Sequence, residues 1–106
     1  MEIWFLTSDQ PVRLGVAGLG RAFMLMLPTF RNDRRVQLAA CAAPRQSSRE
    51  TFLRDFGGAA YATVEELAED PSVDAIYIAT PHQMHRAHAE SALAAGKHVL
   101  LDKPLC

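Results

Sequence analysis

Five short strand-like runs punctuate this 106-residue chain, and a helical stretch fills each interval between them. The runs are Val12 to Ala17, Val36 to Ala42, Ala59 to Ala62, Asp74 to Thr80 and His98 to Leu101. Parallel strands need crossovers of a dozen or more residues, and helices supply them. The alternation therefore predicts an α/β fold, a doubly wound and mainly parallel sheet with helices on both faces and right-handed crossovers. The length fits a single small domain. Composition agrees, with 49% apolar and 22% charged residues.

The intervals carry their own punctuation. Arg21 to Phe30 is apolar almost all round and predicts a buried helix, which Pro28 kinks or ends early. Ser47 and Glu50 form a capping-box pattern ahead of Phe52, Leu53 and Phe56, which share one helical face before Gly57 stops the helix. Thr63 caps a short acidic helix that Pro71 ends, and Met84 to Ala95 is an alanine-rich helix closed by Gly96. Residues 1–11 read as an N-terminal extension. Their apolar patch, Ile3 to Leu6, lacks the basic flank and length of a signal peptide.

Several function classes drop out. A net charge of −1 without a basic cluster argues against nucleic acid. No basic helix suggests a membrane surface, and no window approaches the ~20 apolar residues of a membrane span. Cys41 and Cys106 make no disulfide framework, which suits a reducing, cytoplasmic setting. Cys41 reads as a small core residue.

The first strand runs into "GLGRAF", two thirds of the dinucleotide-binding pattern G-x-G-x-x-G. Gly18 permits the tight turn. Gly20 lets a backbone approach a pyrophosphate closely, and the following helix offers N–H groups and a positive dipole end. Gly18, Leu19, Gly20 and Arg21 are thus candidate pyrophosphate ligands; a ligand-free turn is the plainer alternative. Phe23 holds the third glycine's place. That glycine serves helix–sheet packing, so Phe23 is expected to alter packing more than binding, and to be buried.

The stretch "DAIYIATPHQMHRAHAESALAAGKHVLLDKPL" resembles the Gfo/Idh/MocA oxidoreductases. Thr80-Pro81, His85, Ala95-Gly96-Lys97-His98-Val99 and Lys103-Pro104 carry the likeness, which with the glycine turn extends from Val12 to Leu105. Within the family, "VRLGVAGLGRAF" and "YIATPHQMH" look most like the 4,5-dihydroxyphthalate dehydrogenases. The resemblance implies an NAD(P)-binding Rossmann domain over residues 12–106. It implies hydride transfer between nicotinamide and a hydroxyl-bearing carbon of a sugar, polyol or dihydrodiol-like compound.

Family members are much longer and continue into a second α/β domain that binds substrate. The expectation is therefore a nucleotide-binding half, inactive alone, that meets a small-molecule substrate only together with the second domain. An apolar patch near the end of the fifth strand is expected to invite self-association. A non-catalytic NAD(P)-binding module and an inactive remnant are the rival readings.

Departures from the family pattern bear on the site. Ala43 stands where an acid usually accepts the adenosine ribose hydroxyls, and Arg45 follows two residues on. Without the acid, and with arginine suited to phosphate, NADP(H) is favoured and NAD is the alternative. Arg45 and Arg49 as a solvated helix face is the plainer reading. Asp102-Lys103 replaces the usual Glu-Lys. By resemblance, Asp102 and Lys103 border the cofactor and Lys103 is the catalytic residue, stabilising or protonating an alkoxide.

His82, His85 and His88 recur every third residue, but no cysteine or carboxylate completes a zinc-like set, so no metal is expected. By resemblance Thr80, Pro81, His82 and His85 line the nicotinamide side, and His88 is assigned to the helix surface.

Overall fold

The computed structural model describes residues 11–101. Strands β1 (Val12–Ala17), β2 (Val36–Ala42), β3 (Ala59–Tyr61), β4 (Ala75–Ile78) and β5 (His98–Leu101) alternate with helices α1 (Arg21–Asn32), α2 (Gln46–Phe56), α3 (Val64–Ala68) and α4 (His85–Ala94). A 3-10 turn, His82–Met84, leads into α4. All pairings are parallel and the strand order is β3-β2-β1-β4-β5. The doubly wound sheet expected from the alternation is what forms. The order reverses between β1 and β4, which is the switch point where such sheets open a crevice.

The two faces of the sheet are packed differently. Under α1 and α2 lies an aromatic layer, with Phe23, Phe30, Phe52 and Tyr77 buried against Leu14, Val16 and Cys41. Phe30 meets Tyr77 edge-on with ring centroids 5.2 Å apart, a favoured aromatic geometry. Under α3 and α4 the layer is finer, built from Ala17, Ala40, Ala42, Ala68 and Ala92 around Leu67, Ile76 and Ile78. Phe23 is 3% exposed and meets Phe56 edge-on at 6.5 Å. The ring at the third-glycine place therefore enters the core, as expected. Cys41 is buried in the same layer, and burial pushes its thiol up to about 11.

Some local expectations fail for identifiable reasons. Helix α1 continues four residues past Pro28. Pro28 and Met24 both lie on the exposed side, so water can satisfy the carbonyl that the proline leaves unpaired. Nor is α1 buried all round, since Met24 and Leu25 are 58% and 72% exposed. The Ser47/Glu50 capping box does not form. Arg45 is the N-cap without a side-chain cap, and Gln46 Nε2 instead donates to Glu50 Oε1 at 2.9 Å. Phe52 and Phe56 face the core, whereas Leu53 is 40% exposed. Thr63 does cap α3, accepting from the Glu66 N–H at 3.2 Å.

The edge opposite the crevice is tied by charge. Asp74 accepts from the Arg13 guanidinium at 2.9 and 3.2 Å and from the Arg13 N–H at 2.9 Å. Buried Asp70 accepts from Tyr61 Oη at 2.7 Å and from Ser72 Oγ at 2.6 Å. The Ser72 hydrogen bond, then that of Tyr61, holds its carboxyl below the usual carboxylate range. Lys97 Nζ donates to the carbonyls of Asp70 and Val73 at 2.7 and 2.6 Å. The lysine of the Ala-Gly-Lys-His stretch is thus a structural clamp.

Candidate functional site

A cleft of about 430 Å³ opens at the carboxyl ends of β1 to β4, over the switch point. Four backbone bonds set its floor. Gly18 N–H donates to Ala42 O at 2.9 Å, Ala79 N–H to Ala17 O at 2.8 Å, Ala43 N–H to Tyr61 O at 3.0 Å, and Met84 N–H to Pro81 O at 2.8 Å. Strand ends and turns are thereby locked side by side.

The glycine turn forms one lip. Gly18 has φ +95°, a conformation that L side chains rarely adopt. A methyl there would also lie 3.1 Å from the Ala79 carbonyl atoms and from Thr80 Cγ2. Gly18 is therefore required by the protein itself. Gly20 is different. It is exposed at the N-cap of α1, has negative φ, and a methyl there would meet nothing within 4 Å. The fold supplies no steric reason for glycine at this position.

The β4–α4 turn forms the opposite lip. His85 Nε2 lies 2.7 Å from Thr80 O. A carbonyl can only accept, so His85 carries a proton on Nε2. Thr80 Oγ1 lies 2.8 Å from Nδ1 of His88. His88 is 7% exposed and lines the cleft. Its assignment to the helix surface is corrected: the i, i+3 step from His85 keeps both rings over the Thr80 loop, and His88 is the inner one. The threefold histidine spacing was the signal, weighed only as a metal pattern. Among the described residues no group of His, Cys, Asp and Glu could hold a metal ion.

The remaining candidates divide. Gly18, Ala43, Thr80 and Pro81 line the cleft together. Leu19 lines a second cleft of about 250 Å³ between α1 and α2. Arg21 is exposed at the start of α1, and Arg45 is exposed at the N-cap of α2. Arg49 is no solvated residue. Its guanidinium donates to the carbonyls of Ala43 and Pro44 at 2.7 and 3.0 Å, bracing the loop that lacks the acid. Thr63 and Glu65 also line the cleft, a contribution from α3 that the strand-by-strand reading missed. The side chain of His82, together with Asp102, Lys103, Pro104, Cys106 and residues 1–10, lies outside the described residues. No helix among the described residues is long and apolar enough to cross a membrane.

A glycine turn at a parallel-sheet switch point invites comparison with known dinucleotide-binding proteins. Residues 12–106 match the family model described as "Oxidoreductase family, NAD-binding Rossmann fold". The chain belongs to the Gfo/Idh/MocA family. It is 55% identical over 95 residues to a 1-carboxy-3-chloro-3,4-dihydroxycyclohexa-1,5-diene dehydrogenase of Comamonas testosteroni, covering 89% of this chain and 24% of that protein. Among solved structures, a 3-ketoreductase from Actinomadura kijaniata in complex with NADP and TDP-benzene superposes with TM-score 0.82 at 34% identity. That match covers 91% of this chain and 30% of the reductase. A biliverdin reductase from Synechocystis in complex with biliverdin and NADP+ superposes with TM-score 0.78 at 40% identity, covering 92% and 31%. The chain thus spans about a quarter to a third of the length of these relatives.

Proposed function

We propose that this chain is the dinucleotide-binding part of an NAD(P)-dependent oxidoreductase that moves hydride between nicotinamide and a hydroxyl-bearing carbon. The observation that carries the reading is Gly20. The fold leaves open space where its side chain would be, and a pyrophosphate is what such a family turn accommodates. In this reading Gly18, Leu19, Gly20 and Arg21 hold the pyrophosphate through backbone N–H groups and the dipole of α1. Thr80, Pro81, His82 and His85 border the nicotinamide. The bound nicotinamide ring supplies or accepts the hydride.

NADP(H) is the preferred cofactor, with NAD as alternative. Ala43 presents no carboxylate to repel a 2′-phosphate, and the exposed Arg45 begins the adjacent helix. Both solved relatives described above were crystallised with NADP. Lys103, beside Asp102, would hold or deliver the proton of the reacting hydroxyl. A dihydrodiol-like, sugar or polyol substrate would sit against a further part of the protein. We assign that contact, or self-association without it, to the end of β5, where Leu101 is 43% exposed.

Fluorescence titration tests the reading. NADPH is expected to bind more tightly than NADH, and Ala43→Asp to reverse the order. One charge-assisted phosphate contact is worth about 1.5–3 kcal/mol, about ten-fold or more in affinity. Equal affinities overturn the NADP preference, and binding of neither overturns the nucleotide reading.

A further inference from the structure

His88 is one of two buried polar residues among the described residues, the other being Asp70. Asp70 is explained by the fold, since its partners tie β3 to the α3–β4 turn. The partner of His88 is the hydroxyl of Thr80 in the cleft wall. That hydroxyl sits on a residue held at two other points. A methyl added to Gly18 would lie 3.1 Å from Thr80 Cγ2, so the threonine methyl packs directly over the glycine turn. The Thr80 carbonyl is held by His85 Nε2–H. The O–H rotor is the freedom that remains.

A threonine hydroxyl has one hydrogen and two lone pairs, and a neutral imidazole has one donor and one acceptor nitrogen. If Nδ1 of His88 accepts, the only hydroxyl hydrogen is spent inside the wall, and Oγ1 meets the cleft solely as an acceptor. If Nδ1 donates, the hydrogen turns outward and Oγ1 meets the cleft as a donor. Ala42, Ala43, Pro44 and Ala62 offer an outward hydroxyl hydrogen no side-chain acceptor, and the side-chain acceptors in the wall besides Thr80 and His88 are Thr63 and Glu65. A hydroxyl hydrogen turned toward the apolar part of the wall meets no side-chain acceptor there, whereas one turned to Nδ1 does. The balance favours an accepting Nδ1, with the proton of His88 on Nε2.

We propose that His88 is a positioning residue: by accepting the Thr80 hydroxyl proton at Nδ1, it makes Thr80 Oγ1 an acceptor for an O–H or N–H group of the bound dinucleotide. This rests on the nucleotide reading above. His88 need not touch the ligand; it selects which ligand groups Thr80 can serve.

Two measurements on the full 106-residue chain test the proposal. The first is the long-range 1H–15N spectrum of its histidines at about pH 8, above the ordinary histidine range. The expected pattern is Nε2–H for His88, with Nδ1 unprotonated and hydrogen-bonded. The second is NADPH and NADH titration of His88→Asn and His88→Leu. Asparagine returns an acceptor near the place of Nδ1, and is expected to bind within about three-fold of the unmutated chain. Leucine is expected to bind about ten-fold more weakly, the size of one hydrogen bond.

A proton on Nδ1 of His88 overturns the proposal, and so does a folded His88→Leu that binds as the unmutated chain does. Should His88→Leu fail to fold, the spectrum of the unmutated chain decides. An unmutated chain that binds neither dinucleotide overturns the nucleotide reading, and the proposal with it. A chain that binds while Nδ1 carries the proton overturns the proposal alone.

Discussion

The two turns that face each other across the cleft are built on opposite plans. The β1–α1 turn is made of backbone. Gly18 and Gly20 have no side chains, and the N-cap of α1 has none to offer its helix. The β4–α4 turn is made of side chains, with Thr80 gripped by His85 at its carbonyl and by His88 at its hydroxyl. A backbone turn leaves room and N–H groups for a ligand that brings its own charge. A side-chain turn holds a few polar atoms in fixed positions. The first suits phosphate and the second suits orientation of a ring or ribose. The pair also shares a contact, because Thr80 packs on Gly18.

That contrast can be broken at several points. The largest effect is expected at Phe23, the aromatic support behind the glycine turn, 3% exposed. Phe23→Ala should cost about 3–5 kcal/mol in denaturant unfolding, as a core truncation. A change within about 0.5 kcal/mol would mean that the ring contributes little to the layer beneath α1.

Gly18→Ala comes next. Its positive φ and the 3.1 Å approaches to Ala79 and Thr80 strain both lips at once. A loss of about 1–3 kcal/mol of stability is expected, together with weaker dinucleotide binding. Unchanged melting with unchanged binding would show that the two lips are not coupled.

Thr80→Val is the finest cut. It keeps the methyl on Gly18 and deletes the hydroxyl that faces His88. The expected result is dinucleotide affinity lower by up to about ten-fold, one hydrogen bond's worth of about 0.5–1.5 kcal/mol. Affinity unchanged within error would assign the Thr80–His88 bond to the fold alone.

The backbone lip is legible in the residues themselves, whereas Thr80 and His85 of the side-chain lip are named only through the family resemblance and the place of His88 is not legible at all. Gly18 and Gly20 follow a strand and open a helix within three residues, so local order carries the signal. The spans of β1, β2 and β5 are likewise legible as short, mainly apolar runs, β1 ending at the glycine turn. The Thr80–His88 bond spans eight residues and exists only because the 3-10 turn at His82–Met84 folds α4 back over the loop. Periodicity showed His85 and His88 on one side of a helix, yet could not say which side met the cleft.

Strand β4 was read too long at both ends for a related reason. Asp74 bonds Arg13 through its carboxylate, and Thr80 is taken by the histidines. Only Thr80 leaves the ladder for side-chain partners; Asp74 keeps backbone bonds to both neighbours, its N–H donating to Arg13 O at 2.7 Å and its carbonyl accepting from His98 N–H at 3.2 Å, and differs by lying one residue outside the strand. The capping box fails because α2 already begins at Gln46, which puts Ser47 inside the helix, and Glu50 then accepts from Gln46 one turn away. The bracing role of Arg49 carries no sequence signal, because its acceptors, the carbonyls of Ala43 and Pro44, are backbone atoms of a loop.

The measurement that bears most directly on dinucleotide binding is Gly20→Ala, followed by thermal melting and by NADPH and NADH titration. Within the protein an added methyl meets nothing within 4 Å. Stability should therefore stay within about 1 kcal/mol, the N-cap preference and chain entropy nearly offsetting each other. If a pyrophosphate lies against this turn, the same methyl intrudes on it. Affinity for the preferred dinucleotide should fall at least about ten-fold, more than about 1.4 kcal/mol. A Gly20→Ala chain that melts normally and binds as tightly as the unmutated chain would contradict the account.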